Sequence, residues 1–365
     1  MFLTGKKEIN IIEYTCTSAR KTRARLKIDT SSTVSKKIEL TPLRLAVAMA
    51  RTILSAKPND IEYLFQGISA YFNIQILIDS SKKNLRIKNE SIEKYRDFSL
   101  SSRIGELAQG INYLFAQEIL KYPIVLDFQN YIKTFKPSVS YCGESPDFII
   151  CGKESNKIAI LESKGSCPSK INFKLKSTIK YGLEQCKSAE NFIKKHTFPV
   201  SVQNSYASGV WFSSSSKSWE SAIHFSDPSN DNEIDTLDYH KMLRIHYSTW
   251  FTMLGYIKLA NELLSDSTIE IVEPYKSEIY EGNTYILFES NSLFYPVFKP
   301  DGVAKSNFLE KNVIFGLAER VLKLIQSPHS QNSLNEDTSP IFFEPISNDD
   351  VELFADGTIA FYNHY

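Results

Sequence analysis

Apolar and polar residues recur along this chain in two periods, and the switches between them mark its elements. Between Arg103 and Lys121, the residues Ile104, Leu107, Ala108, Ile111, Leu114, Phe115 and Ile119 recur at helical spacing. They predict an amphipathic helix that must pack on something. Residues 147 to 151 and 157 to 163 are short Ile-rich runs separated by Gly152-Lys-Glu-Ser-Asn156, which is turn chemistry between two strands. Upstream, Thr41 reads as an N-cap with Pro42 at the first helical position, and residues 43 to 56 continue that helix. A second helix is expected over residues 60 to 72, a short strand over 74 to 78 and a polar surface connection over 79 to 95.

Downstream the same reading places a helix over residues 177 to 195 and strands over 209 to 213 and 222 to 225. A long helical stretch follows over 236 to 264, with strands near 269 to 272 and 284 to 289 and a helix over 312 to 325. A polar loop over 326 to 339 precedes strands near 341 to 343 and 358 to 362. Grouped, these elements suggest a mixed α/β protein of three parts: residues 1–98, 99–225 and 226–365. No internal repeat is visible.

Composition narrows the function classes. The 365 residues are 42% hydrophobic, enough for an ordinary core and too apolar for a disordered chain. Lys plus Arg equals Asp plus Glu at 42 each, so overall charge favours no polyanion partner and any basic surface must be local. The five cysteines show no C-x-x-C spacing, which predicts reduced thiols rather than a disulfide framework or a zinc site. Residues 1 to 30 carry Lys6, Lys7, Glu8 and Glu13 among their apolar positions. No signal peptide or membrane span is expected, and a cytoplasmic location follows.

Several other features are set aside. His240 and His246 are six apart and do not share a helix face as i,i+4 ligands would. Pro300-Asp301-Gly302 reads as a turn. Trp211, Phe212, Trp250 and Phe251 sit inside apolar stretches and read as core. No G-x-x-x-x-G-K-[ST] loop is present.

The chemistry concentrates in the hairpin. Phosphodiester cleavage needs an activated water and stabilised charge on phosphorus, which a divalent cation supplies when acidic residues from adjacent elements hold it. If Cys151 and Lys157 are the last paired residues, Asp147 lies across from Leu161, one residue from Glu162. Alternation puts Glu162 and Lys164 on one face of their strand, with an amine beside the carboxylates to orient or help deprotonate water.

Pro146-Asp147, 14 intervening residues and then Glu162-Ser163-Lys164 at the end of an apolar strand resemble the PD-(D/E)XK signature of restriction-endonuclease-like enzymes. The resemblance covers roughly residues 100 to 225. It implies a restriction-endonuclease-like core, a central mixed sheet flanked by helices, with additional modules at both ends. It also implies Asp147 and Glu162 as ligands of Mg2+, for which Mn2+ would substitute, and Lys164 as the catalytic lysine. Gln185, in the helix after the hairpin, occupies a place where such enzymes often carry a site Gln. A Glu of the first helix often joins the site: periodicity favours Glu118, topology favours Glu106, and Glu106 is preferred.

Lys164, Lys170, Lys174, Lys176 and Lys180 follow one another with no acidic residue between them, as a phosphate-contacting run or a solvated face would. A second basic cluster, residues 20 to 27, alternates in a way that suits an exposed edge strand at least as well as a nucleic-acid contact. The expected activity is that of an Mg2+-dependent endonuclease rather than an exonuclease, on DNA in preference to RNA. By analogy its setting is a bacterial restriction or anti-phage effector. The flanking modules could carry a protein partner or a homo-oligomer contact. Two rivals remain: a non-cleaving nucleic-acid- or protein-binding subunit of the same fold, and an interaction protein with no nucleic-acid role.

Overall fold

A computed structural model describes residues 5–16, 26–28, 36–53, 60–152, 158–169, 174–198, 200, 202–227, 239–265, 268–269, 276–288, 312–326 and 341–363. The chain opens with strands β1 (Lys7–Cys16), β2 (Leu26–Ile28) and β3 (Lys37–Leu40). Helices α1 (Pro42–Ile53), α2 (Asp60–Leu77), α3 (Asn89–Lys94) and α4 (Asp97–Glu118) follow. Then come β4 (Ile124–Asp127), α5 (Phe128–Phe135), β5 (Phe148–Cys151), β6 (Ile158–Ser166), α6 (Leu175–Lys195), β7 (Val202–Trp211) and β8 (Ala222–Ser226). The remainder is α7 (Tyr239–Met253), α8 (Ile257–Leu264), β9 (Ser277–Tyr280), β10 (Asn283–Phe288), β11 (Asn312–Ala318), α9 (Glu319–Gln326), β12 (Ile346–Ser347), β13 (Val351–Leu353) and β14 (Thr358–Asn363).

Among the described residues these strands build two sheets. The larger runs β2-β1-β8-β7-β6-β5-β4, with β3 also paired to β1. Its β4, β5 and β6 are antiparallel, whereas β6 and β7 run parallel, so the sheet is mixed. The second sheet runs β12-β13-β14-β11-β10-β9 and is antiparallel throughout. The protein is therefore mixed α/β, with helices packed on a mixed sheet. β1 lies in residues 1–98 yet pairs with β8 of residues 99–225, so the large sheet runs across that boundary.

The centre of the large sheet is apolar on both faces. Every residue of β5 is buried, and β6 is buried from Ile158 to Ser163, because α4 covers one face and α6 the other. The approach of α4 depends on Gly165, where a Cβ would stand 2.7 Å from both the Ile104 carbonyl and the Ala108 methyl. On the opposite face Gly182 lets α6 settle on Glu162, where a Cβ would lie 3.1 Å from the Glu162 Cγ. Strand β6 thus holds its last residues between two close-packed helices. No helix of the described residues is long and apolar enough to cross a membrane.

Four local expectations are corrected. Residues 74 to 77 continue α2 instead of forming a strand, because Ile74 and Leu77, three apart, are both fully buried on one helical face. Residues 312 to 318 form β11 rather than the start of a helix. Val313, Ile314 and Phe315 suit a strand, and β11 lies between β10 and β14 in the second sheet. The stretch expected as one helix over 236 to 264 is two, α7 and α8, parted at Gly255, whose φ of 86° a side chain would resist. Residues 341 to 343 form no strand, although Phe343 N–H bonds the Ala355 carbonyl.

Candidate active site

The hairpin register differs by one residue from the expected one. Cys151 pairs with Ile158 and Phe148 with Leu161, so continuing the ladder sets Asp147 directly opposite Glu162. Residues 153 to 157, most of the expected turn, lie outside the described residues.

Asp147 stands just before β5, where the backbone ladder stops. Its Oδ2 accepts the Ser163 N–H at 2.8 Å, so the carboxylate fills the place of a missing strand acceptor and lies near the plane of the sheet. Its Oδ1 accepts from Gln109 of α4 at 2.9 Å. Burial pushes its carboxyl above the usual range and the nearby Asp127 adds to this, against the Ser163 N–H, Gln109 and Lys164.

Glu162 is 2% exposed and turned toward α6. One oxygen pairs with the Lys164 ammonium, as alternation along the strand requires. The other, Oε2, is buried without a hydrogen-bond partner. Burial, and then the charge of Asp147, push the Glu162 carboxyl up to about 8, with Lys164 pulling the other way. Gln185 of α6 is also buried, three residues beyond the glycine packed on Glu162, and its Oε1 has no partner. The candidate site thus combines two orphaned acceptor oxygens with two carboxyls that burial makes harder to ionise.

The remaining expected residues fall elsewhere. The Glu106 carboxylate accepts from Asn73 of α2 at 3.0 Å, and one helical turn later Gln109 is the α4 side chain that reaches Asp147. Glu118 pairs with Arg44 at 2.8 Å. Lys174 and Lys176 are exposed and Lys180 half-buried at the start of α6, whereas Lys170 lies outside the described residues. Of residues 20 to 27, only Leu26 and Lys27 are described, as part of edge strand β2.

Sequence reasoning missed the supports of the site. Asn112 of α4 donates to Ser163 Oγ at 2.7 Å and accepts from Ser208 Oγ at 2.6 Å, which locks α4 to β6 and β7 through buried polar bonds. Its signal is a polar residue inside the apolar stripe of the helix. Asp127 ends β4, and its Oδ1 caps α5 by accepting the Asn130 N–H at 2.6 Å. An apolar strand closing on an acidic residue is the same signal that marked Glu162.

Among the described residues no group of three or more His, Cys, Asp or Glu side chains is placed to hold a metal ion. Mg2+ does not demand such a group, since one or two carboxylates with waters and substrate phosphates suffice. Comparison of the chain with protein-family models, characterised proteins and solved structures found no match.

Proposed function

We propose that this chain is an Mg2+-dependent nuclease of the PD-(D/E)XK kind, with Asp147, Glu162 and Lys164 as its reaction centre. The observation that carries the proposal is the buried Glu162 carboxylate, with one oxygen on Lys164, the other unpartnered, and Asp147, one residue beyond the end of the β5–β6 ladder, near enough for its charge to act on Glu162. A surface hairpin with an ordinary ion pair has no reason to bury two like charges together. The order α4-β4-β5-β6-α6-β7, with α5 inserted, gives the helix, three antiparallel strands, helix and strand that such a core would have, and lends further support.

The residues fit the cation. Asp147 and Glu162 would hold it, with Gln185 as an additional oxygen donor. When bound, Mg2+ supplies charge neutralisation at the phosphate and acidifies water. The protein's part is to position and to move protons. Asp147 is oriented by Gln109 and the Ser163 N–H, so its carboxylate arrives with little rotational freedom to lose. Lys164 presents its ammonium at the edge of the site, 29% exposed, where it can hydrogen-bond the incoming water and offset charge growing on the phosphate. Hydrolysis joins the water oxygen to phosphorus, breaks the bond to the leaving oxygen and returns one water proton to that oxygen. DNA is the proposed substrate because the resembling enzymes favour it.

Plasmid DNA incubated with the purified chain, with and without Mg2+, tests the reading. Cleavage that needs Mg2+ and is lost in Lys164→Ala and Glu162→Gln supports it. Intact plasmid with a gel shift in EDTA would mark a binding subunit instead, and neither effect would leave no nucleic-acid role.

A further inference from the structure

The Lys164 ammonium has a second neighbour besides the carboxylate it pairs with. It stands 5.7 Å from the centroid of the Tyr181 ring, on the first residue before the glycine that lets α6 close on Glu162. Tyr181 is 44% exposed, so the core does not explain its presence. Its hydroxyl donates to the Glu144 carboxylate, three residues before Asp147. The ring is therefore pinned at both ends, by the α6 backbone and by the segment leading into β5. Both contacts are with residues in or near the candidate site.

A lysine side chain has four rotatable carbons and a mobile charge, and one carboxylate on a flexible stem confines it poorly. The electron-rich face of an aromatic ring adds a second attraction at a defined point. We infer that Tyr181 is a positioning residue whose ring holds the Lys164 ammonium against Glu162, with the Glu144 bond a lesser restraint on the ring. The consequence for catalysis rests on the nuclease reading, whereas the placement of the ammonium stands independently of it.

Two measurements on the full chain separate these. Lys164 acetylation by a limiting amine-reactive ester, quantified by peptide mass spectrometry without metal, reads the placement. Tyr181→Leu is expected to raise its rate severalfold, and Tyr181→Phe, which keeps the ring, to leave it near the native value. Plasmid cleavage with Mg2+ reads the consequence. Tyr181→Leu is expected to lower kcat roughly tenfold with KM little changed, because a misplaced group costs rate rather than binding, and Tyr181→Phe to recover most of it. Acetylation unchanged in Tyr181→Leu would overturn the inference whatever the cleavage result. Equal loss in the Phe and Leu variants would also overturn it by assigning the effect to the hydroxyl. A native chain that cuts nothing would remove the nuclease reading, and acetylation would still decide the placement.

Discussion

Two of the places where the described residues bury charge are treated in opposite ways. Behind the large sheet, Arg51 of α1, His246 of α7 and Asp356 before β14 meet, all fully buried. Asp356 Oδ2 lies 2.5 Å from Arg51 Nη1 and 2.8 Å from His246 Nε2, and its Oδ1 accepts from the Thr358 N–H and hydroxyl at 3.0 and 2.7 Å. Burial alone would raise the Asp356 carboxyl, yet Arg51 and His246 hold it well below the ordinary range. His246 is pushed down by burial and by Arg51, with Asp356 pulling the other way; its Nε2 also lies 2.8 Å from Arg51 Nη2, and its Nδ1 lies 3.0 Å from the Val125 carbonyl oxygen. At the candidate site the equivalent cost is left standing: Glu162 keeps an orphaned oxygen and a carboxyl raised to about 8. A cluster whose carboxylate is saturated from within acts as a fastener between α1, α7 and the second sheet. A cluster left short of positive charge is poised for something from outside.

The largest effect is expected where the fastener is cut. Asp356→Ala leaves the Arg51 guanidinium buried without its counter-charge and should cost about 3–5 kcal/mol, measured by urea unfolding. A loss under about 1 kcal/mol would mean that the cluster is not holding the sheets together. Glu162→Gln should behave oppositely, lowering Mg2+-dependent cleavage by about a hundredfold or more while leaving the metal-free fold at least as stable. Equal destabilisation by both substitutions would erase the distinction between the clusters.

A pH series sharpens the contrast, because the two shifts have opposite sign. Glu162 titrates higher in the folded chain than in the unfolded one. Its contribution to stability is present below about pH 4.5 and is lost as the pH rises through about 8. The Asp356 contribution is present above its unfolded pKa and is lost on acidification. Since a cation needs the ionised carboxylate, Mg2+ should raise Tm more at pH 8.5 than at pH 6, and Glu162→Gln should abolish the difference. A Tm shift independent of pH would sink this account of the site. The smallest effect is expected at the surface: Lys176→Ala with Lys180→Ala should leave Tm unchanged and flatten the salt dependence of DNA binding by about one unit per lysine. An unaltered salt slope would remove α6 from the DNA path.

Much of the site was legible because its signals are local. Alternation alone placed Glu162 and Lys164 on one face, and Ile runs around a turn predicted the hairpin. The register slipped by one because apolar runs buried on both faces, such as Ile158 to Leu161, read alike in either alignment. The same ambiguity made a strand of residues 74 to 78 and a helix of residues 312 to 318, since a short apolar run carries no period of its own. The choice between Glu106 and Glu118 could not foresee Gln109, because helical periodicity gives a face and says nothing of which residue on it meets a strand end.

The amino-acid sequence by itself determined the mixed α/β class, the strand that carries Glu162 and Lys164, and the helices before and after it, since each follows from spacing within a few residues. Tertiary structure alone decided that Arg51, His246 and Asp356 share one ion cluster, that Gln109 and Ser163 orient Asp147, and that Tyr181 stands over Lys164. Those partners are joined by packing across the chain, and the desolvation that raises Glu162 exists only once α4 and α6 have closed on β6.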